Sequence, residues 1–127
     1  MTAREIGALG EALAAKYLKK NGYKILERNR HESHNEIDLI VSDKRYLVFV
    51  EVKTRSVSAD DLYLPYGSPA SAVDKRKQAR LLRAAQDYLR FHNKKAKQPR
   101  MDVVEVYLER DTGKLLRLNH ISDAFGA

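Results

Sequence analysis

The most restrictive feature of this sequence is an apolar run that is broken at one end by charge: Tyr46-Leu47-Val48-Phe49-Val50-Glu51-Val52-Lys53. Strand side chains alternate between faces, so Val48, Val50 and Val52 share one face while Leu47, Phe49, Glu51 and Lys53 share the other. A run this apolar belongs in the centre of a sheet, where unpaired charge is costly. The segment before it behaves the same way, with Ile37, Leu39 and Val41 on one face and Glu36, Asp38 and Ile40 on the other. A short turn at Ser42-Asp43-Lys44-Arg45 joins the two into a β-hairpin. If Val41 pairs with Tyr46, Asp38 lies opposite Phe49, on the face of Glu51 and Lys53. Asp38 and Glu51 are then diagonal neighbours, roughly 7–8 Å apart at the backbone, and their carboxylates can converge on one ion. A one-residue slip would send them to opposite faces.

Two carboxylates suit Mg²⁺ or Mn²⁺, and an adjacent lysine suits the charge that develops on a phosphate during cleavage. The plainer alternative is a surface Glu–Lys pair contributing roughly 0–1 kcal/mol; the central position of the strand favours the chemical reading. Charge points the same way, since 24 Lys and Arg against 17 Asp and Glu give +7, which favours a polyanionic partner. Acids within a basic shell suit a metal-dependent nucleic-acid enzyme. The 127 residues suffice for one domain, expected to span 1–127. Without cysteine the chain can form neither a disulfide framework nor a thiolate zinc site, and a reducing compartment is permitted. No run approaches the ~18 apolar residues of a membrane span, so a soluble, cytoplasmic chain without a membrane partner is expected.

Along the chain, Ile6, Leu9, Leu13 and Tyr17 predict an amphipathic helix over about 3–20. Gly7 and Gly10 within it suggest close approach to another backbone. Glu11 lies at the margin of the apolar face and by itself reads as a solvated residue. After Asn21-Gly22 a half-exposed strand over 23–29 is expected, then a polar connection from His31 to His34 whose histidines read as solvent-facing. Residues 56–69, rich in Ser, Asp, Gly and Pro with Tyr63 and Tyr66, read as a long mobile loop, either a lid or simple disorder. A second helix over about 71–91 has Leu81, Leu82, Ala85, Tyr88 and Leu89 on its apolar face, with Ser71 and Asp74 resembling a capping box. Lys75, Arg76, Lys77, Arg80 and Arg83 crowd its first half without an intervening acid, as a solvated face or a contact for phosphates. Strands over 101–108 and 115–121 close the chain around Asp111-Thr112-Gly113-Lys114, with Asp102 expected to cap a turn or pair with an arginine and a frayed turn at the end. The order is αβββαββ, an α/β fold with a mixed sheet flanked by helices.

That order, with Gly10-Glu11 on the first helix, Gly22-Tyr23 and Ile25-Leu26 after it, Glu36-Ile37-Asp38-Leu39-Ile40, Val48-Phe49-Val50-Glu51-Val52-Lys53 with Arg55, Tyr66-Gly67-Ser68-Pro69, Ala72-Val73 with Lys77, and Asp102-Val103-Val104, covers nearly the whole chain. It resembles the restriction-endonuclease-like superfamily marked by PD-(D/E)xK motifs, and more closely the bacterial YraN family, similar to archaeal Holliday junction resolvases. The family often has Gly where Asn35 stands, and Asn also tolerates left-handed backbone. The resemblance implies Asp38 and Glu51 as metal ligands, Lys53 as charge stabiliser and Glu11 as a third acid of the catalytic set. It implies a Mg²⁺- or Mn²⁺-dependent endonuclease acting on structured or branched DNA, with a non-catalytic nucleic-acid-binding module as the alternative. Arg55 joins Lys75, Arg76, Lys77, Arg80 and Arg83 as an expected nucleic-acid contact, and the paired strands of a four-way junction suit a two-fold homodimer.

Overall fold

The computed structural model describes residues 1–32, 34–60, 73–92 and 97–126. Its elements are α1 (Ala3–Lys20), β1 (Lys24–Glu32), β2 (Asn35–Ser42), β3 (Tyr46–Val57), α2 (Lys75–Phe91), β4 (Gln98–Glu109) and β5 (Leu115–Ile121), in the expected order. The five strands form one mixed sheet in chain order, antiparallel except for β3 and β4. A parallel neighbour requires a crossover, and α2 lies within it. The two helices cover opposite faces of the sheet. Under α1, Ala14, Ala15 and Leu18 pack on Leu39, Val41, Val48, Val50, Val104 and Val106. Under α2, Leu81, Ala84, Ala85 and Tyr88 pack on Ile37, Ile40, Leu47, Phe49 and Val103.

Local chemistry sets the helix ends. Thr2 and Glu5 form a reciprocal capping box, each side chain accepting from the other's backbone N–H at 3.1 and 2.8 Å. Gly22, at φ 93°, turns the chain out of α1. At α2, Asp74 itself is the cap, accepting from the Lys77 N–H at 2.8 Å. Ser71, Tyr63, Tyr66 and most of the expected loop over 56–69 lie outside the described residues. The two glycines of α1 part company. A Cβ on Gly10 would collide with the Thr54 side chain, so helix and sheet touch there, whereas a Cβ on Gly7 meets nothing within 4 Å.

The central hairpin keeps the expected parity but not the expected register. Val41 pairs with Val48 and Leu39 with Val50, two residues beyond the pairing of Val41 with Tyr46. The turn explains the shift: the Asp43 carboxylate accepts the N–H groups of Arg45 and Tyr46 at 2.8 and 2.7 Å, and Asp43 N–H donates to the Tyr46 carbonyl. The shift is even, so Ile40 keeps the face of Phe49 while Leu39 and Val41 keep that of Val48 and Val50; the ladder ends at the pair of Leu39 with Val50, and Asp38 is tied to β3 beyond it by the Val52 N–H. Elsewhere, β1 continues through His31 and Glu32, where a polar connection was expected, because β2 pairs with it as far as Glu32 and Asn35. The expected frayed turn is held at Ala124 and Phe125: Ala124 N–H donates to the Met101 carbonyl at 2.7 Å, and Phe125 packs against the α2 core.

A polar network centred on the buried Asp102 ties α1, β4 and β5 together. Asp102 accepts both Nε and an Nη of Arg100 at 2.9 Å, His120 Nε2 at 2.7 Å and the Asp123 N–H at 3.0 Å. Because an ionised carboxylate only accepts, Nε2 carries the proton and a neutral His120 then accepts the Tyr17 hydroxyl at Nδ1, 3.1 Å away. Burial alone would raise Asp102, but these donors outweigh it and hold the carboxyl below its usual range. Asp102 thus pairs with an arginine, as expected, and its role is structural.

Candidate metal centre

The site begins with a fault in the alternation of β2. Ile37 packs on the α2 side, yet Leu39 and Val41 pack on the α1 side, so the two-residue rhythm breaks at Asp38. Beside it, Asn29 of β1 adopts φ 51°, a left-handed conformation that asparagine tolerates. The fault brings Glu36 and Asp38 to a place that Glu11 reaches from α1. One carboxylate oxygen from each of Glu11, Glu36 and Asp38 lies within 4.8 Å of the others. With its amide nitrogen turned to the acids, Asn29 donates to Glu11 Oε1 and Glu36 Oε1, both at 2.8 Å, and fixes the two side chains.

Like charges crowd this place. Burial, then the charge of Glu51, pushes the Asp38 carboxyl up to about 8, although the Val52 N–H donates to its Oδ2 at 2.8 Å and opposes the rise. Glu11 is also raised, first by burial and then by Glu36 and Glu51, with Asn29 and Arg28 pulling the other way. Glu51, 5% exposed, is ion-paired with Lys77 of α2. Three hard oxygen donors whose mutual repulsion a cation would relieve could hold a metal ion.

The remaining expected residues divide. Lys53 is half-buried on the Glu51 face of β3 and has no ion pair among the described residues; its neighbour in register on β4 is the buried Glu105. Arg55 directs its Nε to that same Glu105, 3.4 Å from Oε2, so its charge is turned into the sheet. Lys77 and Arg80 line a groove of about 270 Å³ with His34, Asn35, Glu36, Asp38 and Glu51. Lys75, Arg76 and Arg83 are exposed on α2 and are not among the residues lining that groove. Glu11, Asp38 and Glu51, named from the sequence, thus meet within one electrostatic unit, but the three acids clustered closely enough to share an ion include Glu36 in place of Glu51. Glu36 had a visible signal, two positions from Asp38 on one strand. Asn29 had only its tolerance of left-handed backbone.

Comparison with known proteins agrees with the motifs. A model of the uncharacterised protein family UPF0102 matches residues 10–106. A UPF0102 protein of Caldanaerobacter subterraneus subsp. tengcongensis is 45% identical over 122 residues, covering 96% of this chain and 95% of its own. One from Syntrophomonas wolfei subsp. wolfei is 43% identical over 122 residues, covering 96% and 98%. Among solved structures, Pyrococcus furiosus SfsA in complex with Ca²⁺ aligns at a TM-score of 0.40 and 14% identity over 94% of this chain, which spans 63% of that chain's length, too distant a likeness to bear on function. With a match through most of the chain and relatives aligned almost end to end, this protein belongs to UPF0102, the family its motifs resemble under the name YraN.

Proposed function

We propose that this protein is a divalent-metal-dependent nuclease with a restriction-endonuclease-like fold that hydrolyses phosphodiesters of structured or branched DNA. The observation that carries this reading is the convergence of Glu11, Glu36 and Asp38 beside Glu51, in a chain of net charge +7. Glu11, Glu36 and Asp38 would hold the ion, with Glu51 adjoining. A bound Mg²⁺ or Mn²⁺ supplies Lewis-acid polarisation of the phosphoryl group and makes water acidic enough to serve as nucleophile. The residues of the chain do the rest. The Val52 N–H fixes Asp38, and Asn29 fixes Glu11 and Glu36, so the acids are held before substrate arrives. Water forms the new bond to phosphorus as the bond to the leaving oxygen breaks, and that oxygen takes a proton. Lys53 offers an ammonium to the charge that grows on the phosphoryl oxygens. Lys77 and Arg80 in the α2 groove position the neighbouring phosphates.

The test is incubation of the pure protein with labelled duplex, flap, single-stranded and four-way-junction DNA, with and without Mg²⁺ or Mn²⁺, beside Asp38→Asn and Lys53→Ala. Metal-dependent cleavage lost in both variants is the expected result. Cleavage by Asp38→Asn at the parent's rate would refute the assignment.

A further inference from the structure

A second groove, of about 300 Å³, lies on the α1 side of the acid cluster, lined by Arg4, Gly7, Glu11, Ala12, Arg28 and Asn29 together with Ala8 and Leu39. That volume is at the lower end of the roughly 300–1,000 Å³ of small-ligand sites, room for one nucleotide and not for a duplex. Two arginines from different elements line it, Arg4 from α1 and Arg28 from β1. Both are exposed, and among the described residues neither forms a hydrogen bond or ion pair, although the charge of Arg28 is felt at Glu11. The groove is open because α1 is small there. Gly7 makes no close packing contact that would explain a glycine in a helix, since a Cβ on it meets nothing within 4 Å. Glu11 lines this groove and Glu36 and Asp38 line the α2 groove, so the acids form a ridge between two grooves, with Arg4 and Arg28 on one side and Lys77 and Arg80 on the other.

From this placement we infer that the α1-side groove binds a backbone phosphate of a single nucleic-acid strand, held between Arg4 and Arg28, on the strand that crosses the acid ridge from the α2 groove. The inference rests on the nuclease reading for what happens at the ridge, but not for binding. Acids repel a polyanion, so a strand reaching them needs cations on both sides, and the α2 groove supplies only one side. Guanidinium groups are suited to this work because they pair with phosphate oxygens in a planar fork.

The experiment measures anisotropy of a labelled single strand and a labelled four-way junction in EDTA, over a range of salt, with cleavage by the same proteins in Mg²⁺ or Mn²⁺ as a separate readout. Arg4→Ala with Arg28→Ala should weaken binding at least tenfold, and the slope of log K against log salt should fall by about 0.7 for each phosphate of a single strand that is no longer neutralised. Gly7→Leu extends into the groove from a helix it does not disturb, so it should weaken binding while its melting temperature holds or rises. Unchanged affinity and slope in both variants of a protein that binds and cuts would overturn the groove and leave the nuclease reading standing. Binding abolished in both variants of a protein that never cuts would support the groove and overturn the nuclease reading. A parent that binds neither probe would overturn both.

Discussion

Replacing Asp38 by Asn tests the electrostatics of the cluster without any assumption about substrate. In the folded protein this carboxyl is pushed from an ordinary 3.8 up to about 8 by burial and by Glu51. A carboxyl raised on folding binds its proton more tightly in the native state, so its stabilising effect is full below pH ~3.8 and is lost as pH rises toward 8. At about 1.36 kcal/mol per pH unit the ionised form would cost at most ~6 kcal/mol. Lys77 beside Glu51 and local relaxation reduce this, leaving on the order of 2–3 kcal/mol. Asparagine can meet the structure's requirements: its oxygen can accept the Val52 N–H as Asp38 does, and its amide nitrogen can donate to Glu51, to which the Asp38 side chain is hydrogen-bonded. Urea melts of parent and variant at pH 5 and pH 9 without metal should therefore show a stabilisation that grows with pH. Mg²⁺ should stabilise the parent by mass action and the variant far less. An Asn variant less stable than the parent at pH 9, or a difference that does not change with pH, would refute the reasoning.

Three other outcomes follow from the geometry. Gly10→Ala forces a Cβ into Thr54 and should destabilise by about 1–3 kcal/mol, while Gly7→Ala should stabilise by roughly 0.5–1 kcal/mol; paired thermal melts check both. Asp102→Ala removes the buried partner of Arg100, whose side chain is 11% exposed, and should cost about 3–5 kcal/mol in urea unfolding. Because Asp102 is held below 3.8, its contribution is present above that pH and is lost as pH falls through the lower folded value, so the variant should lose its disadvantage in acid melts. Arg80→Ala, which changes the α2 groove, should weaken oligonucleotide binding more than Arg76→Ala, which does not; equal losses in anisotropy titrations would make α2 a uniformly basic face.

The sequence carried the element order and the faces because both are periodic. From Leu39 to Ser42 parity across the hairpin survived a wrong register, since an even shift returns those side chains to their own faces. The register itself was hidden in the hydrogen bonds of Asp43, a side chain that selects among turns in a way spacing does not reveal. The break at Asp38 was invisible for a related reason: Ile37 is apolar on either face, so nothing in its identity records that it packs under α2. Glu11 could be placed at the margin of its helix but not beside Glu36, because that meeting depends on where α1 crosses the sheet. The partnership of Lys77 with Glu51 joins the crossover helix to the strand before it, and only the docking of α2 discloses it.

The parallel pairing of β3 with β4 has a kinetic consequence. It joins residue 46 to residue 98, so it forms only after a long loop has closed, whereas β2 and β3 meet across a turn of a few residues. Hairpins of that kind form in about 1–10 μs, well before distant strands find each other. The chain therefore brings Asp38 and Glu51 together early, while Lys77, carried on the crossover, arrives late. Until α2 docks, a nascent hairpin lacks the counter-charge that Lys77 gives Glu51, so the two carboxylates should slow rather than speed the parent's folding.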